Sequence, residues 1–140
     1  MSVKTIPDTR QWPLAAYAPF SYEDALGVAD AAIVLFAVPA GAIITQLKLT
    51  TTVAFASGGG THDADIGDVV DTDRYSATVV ELDGTAGAPT NNAVVDGSIT
   101  TSAEPNVTLD FVDGTGVATS GAGFVVGTYI DTSRSTENYE

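Results

Sequence analysis

The chain predicts an all-β protein, an antiparallel β-sandwich with an extended N-terminal arm, and a jelly roll is one form that sandwich can take. Three observations carry this prediction. Helix-forming Lys and Glu number only two and five, while thirteen of the eighteen acids are Asp, which favours turns and caps. Nineteen threonines, fourteen glycines and many valines supply strand and turn chemistry instead. Short runs of period two recur between Gly, Pro and Asp-Gly punctuation, and no segment holds a convincing helical period.

Elements follow in order. Residues 1–20 (MSVKTIPDTRQWPLAAYAPF) carry three prolines and two of the five cations without a period, so they read as an arm that reaches about 65 Å when stretched. Trp12, Tyr17 and Phe20 are aromatics that such an arm would dock against a partner, with Arg10 as a charge contact. The sandwich proper is expected over 21–132. Ala32 to Val38 is a continuous apolar run ending at Pro39-Ala40-Gly41, hence a buried strand and a turn. From Ile43 to Phe55 the odd positions are mostly apolar and the even ones include Gln46, Lys48, Thr50 and Thr52, giving a long strand with one wet face. Ser57 to Gly60 breaks it. His62–Val70 and Arg74–Leu82 read as two strands joined across Asp71-Thr72-Asp73. Asp83-Gly84, Asp96-Gly97 and Asp113-Gly114 mark further turns. Val107, Leu109 and Phe111 alternate with Thr108 and Asp110. Phe124 to Ile130 is apolar on both faces and therefore expected at the centre of a sheet. Residues 133–140 form a polar, loose tail.

Size and charge exclude several classes. A chain of 140 residues makes one domain with one modest core. Without cysteine there is no disulfide framework, thiolate zinc or cysteine nucleophile. A net charge of −13 argues against nucleic acid, which needs clustered cations to displace its counterions. Apolar residues at 44% still allow collapse, unlike a disordered acidic tail. Met1–Arg10 is not followed by the apolar stretch of a secretory leader, so the chain is expected to stay in the cell that makes it. Ala25–Ile44 contains Asp30, Pro39 and Gly41 and reads as strand, turn and strand, so no membrane segment is expected.

The chemistry-bearing residues are few. Asp63, Asp65, Asp68, Asp71 and Asp73 form the densest carboxylate cluster and are the candidate ligands for Ca²⁺. Their spacing departs from a helix–loop–helix calcium loop, since Gly67 stands at the third ligand and Arg74 at the bidentate acid. Asp63 and Asp65 instead share the outer face of a strand opposite Ala64 and Ile66, as solvated acids. Arg74 follows four neighbouring acids and is expected to fork onto one of them and pin the turn. His62 is the lone histidine and follows three glycines, so it is expected exposed on a loop, where a base is poorly held. Gly58–Thr61 lacks the lysine of a phosphate loop, and Asn106-Val107-Thr108 matches a glycosylation site by chance within a strand. No cofactor and no enzymatic activity are expected.

Val38-Pro39-Ala40-Gly41-Ala42 leading into Ile43–Phe55, then Asp65-Ile66-Gly67, Asp71-Thr72-Asp73-Arg74-Tyr75 and Gly121-Ala122-Gly123-Phe124-Val125-Val126, resemble the head decoration (cement) and related virion structural proteins of tailed bacteriophages. The likeness spans roughly Ala32 to Thr132. It implies a β-sandwich subunit, often trimeric, that sits on the outer surface of a capsid, binds the major capsid protein and ties adjacent capsomers together; it brings no catalytic residues. Acidity fits such a role, because the packaged genome would not trap the subunit and free copies stay soluble before assembly. The expected location is the outer capsid surface of a virion, after synthesis in the host cytoplasm. The alternatives are a head-fibre base or tail-associated subunit and, from a different class, a calcium-dependent carbohydrate-binding module built on Asp63–Asp73.

Overall fold

The computed structural model describes residues 13–25, 32–57, 60–76, 78–84, 98–99, 106–113 and 117–131. They form eight strands: β1 (Leu14–Ser21), β2 (Ala32–Ala37), β3 (Ile43–Ala56), β4 (His62–Gly67), β5 (Val80–Glu81), β6 (Ser98–Ile99), β7 (Asn106–Asp113) and β8 (Ser120–Ile130). One 3₁₀ turn, Tyr22–Ala25, follows β1, where the Ser21 amide donates to Asp24 Oδ2 at 2.6 Å. Two four-stranded sheets result, in the orders β1-β8-β3-β6 and β2-β7-β4-β5. Every pairing is antiparallel, and the first strand pairs with the eighth, the second with the seventh, the third with the sixth and the fourth with the fifth. The all-β sandwich is therefore the observed architecture.

Local chemistry explains the connections. Between β2 and β3 the Ala42 amide donates to Pro39 O at 3.0 Å, and Gly41 takes φ 77°, the positive value a type II turn demands at its third position. β3 does not keep one phase over its fourteen residues. Register shifts fall between Ile44 and Gln46, between Thr51 and Val53, and between Val53 and Ala56. Each extra residue flips the side chains, so Ile44 and Leu47 both face inward and Val53 turns out to solvent. Thr45, at the first shift, donates to Thr128 O at 3.1 Å.

The core lies between the sheets. Phe20, Phe55 and Phe111 form a triangle with ring centroids 5.9 to 6.1 Å apart, joined by Leu47, Leu49, Ile66, Val107, Leu109 and Val125. β8 makes room for these rings by presenting Gly121, Gly123 and Gly127 inward beside Val125. A Cβ on Gly123 would stand 2.6 Å from both the Phe20 ring and the Thr50 carbonyl, and one on Gly127 would stand 2.9 Å from the Phe36 ring. Gly121, at φ 142°, lies directly under the Phe55 ring.

Four expectations are corrected. Leu14–Phe20, assigned to the arm, instead pairs with β8 along its whole length as part of β1; small residues on both faces (Ala15, Ala16, Ala18, Pro19) hide its alternation. β2 is not buried but is a half-exposed sheet edge, with Val34 at 58% exposure, because an apolar run also suits an edge that packs on one side. The strand expected over Arg74–Leu82 shrinks to Val80–Glu81, because Arg74 and Tyr75 belong to a hydrogen-bonded turn. His62 is fully buried as the first inward residue of β4. Asp96-Gly97, Gly114 and the tail at 133–140 lie outside the described residues.

Candidate functional site: an acidic loop and two unlike sheet faces

β4 runs into a loop, residues 68–76, that the sequence marks as its acid cluster. Asp68 is completely buried. Its Oδ1 accepts from the Val70 and Asp71 amides at 2.9 and 2.8 Å, and its Oδ2 faces Arg74 Nε at 2.5 Å, a contact of charges and not an aligned hydrogen bond. The loop is further tied by Asp68 N to Asp71 O and Tyr75 N to Ile66 O, and by the Ile66 amide donating to Ser76 Oγ at 3.0 Å. Gly67 admits this fold-back, since a Cβ there would collide with the backbone of Asp71 and Thr72. Both oxygens of Asp68 are thus engaged within the loop, which leaves Val69 and Val70 exposed at its tip.

The other four aspartates do not join Asp68. Asp63 and Asp65 are half-buried on the outer side of β4, and Asp71 and Asp73 are exposed in the turn. Among the described residues no three acid or imidazole side chains are grouped to hold a metal ion. Burial raises the pKa of Asp63, aided by Asp83; burial also raises that of Asp65, aided by Asp73, Asp110 and Asp63 and opposed by the hydrogen bond from Ser76. Asp71 is raised first by a hydrogen bond shared with Asp73, and the Tyr75 phenol by burial. His62 Nε2 lies 3.0 Å from Ser57 Oγ, within reach for a base and a hydroxyl, but full burial closes the imidazole to a substrate.

Of the residues expected to bind a partner, Arg10 and Trp12 lie outside the described residues. Phe20 is 3% exposed and committed to the core. Tyr17 alone points outward, at 64% exposure, with its ring 5.6 Å from that of Phe124.

Tyr17 belongs to a surface that sequence reading did not single out. β1, β3 and β8, of 8, 14 and 11 residues, contain no Asp or Glu. Their outward side chains form cross-strand rows: Tyr17, Val126 and Lys48 in one, Pro19, Phe124 and Thr50 in the next. On the opposite sheet the outward rows are acidic, with Asp63 directly across from Glu81 and Asp65 directly across from Asp110. The signal was present in the sequence as an acid-free interval between Asp30 and Asp63 and another between Asp113 and Asp131.

No protein-family model matches the chain, and no curated protein sequence matches it. Solved structures do. A chain of the cyanophage Pam1 capsid asymmetric unit is similar over 91% of this chain and 92% of its own, with a TM-score of 0.67 at 20% identity. A chain of the acidic stable capsid structure of Helicobacter pylori bacteriophage KHP30 is similar over 85% of this chain and 87% of its own, with a TM-score of 0.63 at 14% identity. Nearly the whole fold of this chain is thus a fold found in chains of phage capsid structures.

Proposed function

We propose that this chain is a non-enzymatic structural component of a phage virion, a decoration subunit that binds the major capsid protein on the outer face of the head and ties neighbouring capsomers together. The observation that carries the reading is the fold likeness to chains from two phage capsid structures along most of both partners' lengths. The strand order 1-8-3-6 over 2-7-4-5 is read here as a jelly roll, an eight-stranded sandwich recurrent in viral capsid domains. Lectin domains share it, but calcium-dependent sugar binding has no converging carboxylates to rest on among the described residues. Arg10 and Trp12 are the proposed arm contacts, Tyr17 is a proposed contact from β1, Arg74 keeps a structural role, and many weak contacts repeated by symmetry hold the subunit in place. Synthesis is in the host cytoplasm, and assembly is as a homotrimer.

The test is co-sedimentation of the purified chain with heads that lack it. Saturable occupancy at defined lattice positions on the outer surface is expected; absence of binding, or location at the tail in purified particles, overturns the decoration reading. Sedimentation equilibrium should return three times the 14.3 kDa chain mass. Deleting residues 1–12, and not 1–20, should weaken attachment while both sheets persist, since β1 starts at Leu14.

A further inference from the structure

We infer that the outer face of the β1-β8-β3 sheet is the surface that seats on the capsid shell, and that the acidic outer face of the opposite sheet is turned to solvent. This rests on the decoration reading and adds to it a surface distinct from the arm.

Acids are about one residue in eight of this chain, yet these three strands have none, and their single ionised group is Lys48. Docking therefore removes little charge from water, the main cost of burying a polar surface. The same face exposes Tyr17 at 64%, Val53 at 50% and Val126 at 36%, which reward contact with a flat, largely uncharged protein surface offering an acceptor to Lys48. The opposite face sets carboxylate against carboxylate in adjacent strands, so covering it would desolvate several like charges at once.

Area decides between a shell and a second copy as the occupant. Three strands and eight residues of shared register span about 15 Å by 25 Å, roughly 400 Å² a side, whereas a stable pair of proteins needs about 800 Å² a side. A face too small to hold a dimer in solution is sufficient where the lattice repeats it and the arm adds a second tether.

The experiment measures binding of full-length chain to heads lacking it, with Val53→Glu, Val126→Glu and Lys48→Glu on the proposed face and Val34→Glu and Glu81→Gln on the other sheet. The wild type and the opposite-sheet variants should bind alike, while each face variant weakens apparent affinity at least tenfold with an unchanged urea midpoint. Lys48 is exposed, so its substitution reports on binding even where a valine variant fails to fold. Wild-type binding that all face variants retain overturns the inference and leaves the decoration reading standing. Loss of self-association in the face variants, in place of loss of head binding, assigns the face to a second copy and also overturns it. Heads that refuse the wild type bring down the decoration reading and this inference with it.

Discussion

β7 and β8 are each an inner strand of one of the two sheets and solve opposite problems. Facing inward, β7 fills space with Val107, Leu109 and Phe111, all at most 1% exposed, while β8 yields space with three glycines around Val125. Facing outward, β7 sets Asp110 beside Asp65, while β8 carries Phe124 and Val126 into two rows without any acid. Packing density explains the first contrast, because aromatic rings from β1, β2 and β3 can lie against β8 only where no Cβ stands. The second contrast is not required by the fold, and so it points to what the faces meet.

The largest effects should come from exchanging the inner roles. Leu109→Ala leaves a cavity and is expected to cost about 2–5 kcal/mol in urea unfolding. Gly123→Val overpacks the same core from the other side and should cost about 3 kcal/mol, part of it recovered by combination with Phe20→Leu; additive losses would break the stated pairing of glycine and ring. Asp68→Ala removes the acceptor of two amides and the partner of Arg74, with an expected loss of about 3 kcal/mol, and Arg74→Met should lose less.

A pH titration sharpens the outer contrast. Asp63 and Asp65 have raised pKa values in the fold, so the native state takes up their protons before the unfolded chain does. Their contribution to stability is unfavourable when both are ionised, near neutrality, and improves as pH falls through the raised values towards the ordinary carboxylate range. Urea midpoints should accordingly rise as pH is lowered from neutrality towards the ordinary carboxylate range, and Asp65→Asn should flatten part of that slope; a midpoint that falls as pH approaches that range would contradict the assignment. The smallest effect is expected for Val53→Glu, which should alter stability by no more than about 0.5 kcal/mol because the side chain already meets water.

Much of this was readable in the chain. Period two located β3, β4 and β7, although it missed the phase shifts inside β3 and carried β4 on to Val70 where the strand ends at Gly67. The apolar faces of Phe124–Ile130 placed β8 inside its sheet, as its position between β1 and β3 bears out. Alternation counted back from Ile66 and Ala64 also puts His62 inside, but the preceding glycines drew attention to a loop instead. β1 escaped because alanines give no contrast between faces, and the short β5 because side-chain hydrogen bonds from Asp68 and Ser76 outcompeted strand propensity over 68–76. The outer faces depend on which strands become neighbours, and pairings such as Asp65 with Asp110, 45 residues apart, are invisible until the sheets are assembled.

Leu14 stands opposite Tyr129, so Pro13 and Asp131 leave the sandwich at the same end, beside Ala42 and away from Ser57. A fluorophore or affinity handle attached at Pro13 or Asp131 would therefore report from one pole of the described sandwich. Joining Asp131 to Pro13 through a short linker, without the flanking segments, and opening the chain between Ser57 and Gly60 would yield a circular permutant that keeps every strand pairing and frees the opposite pole for display.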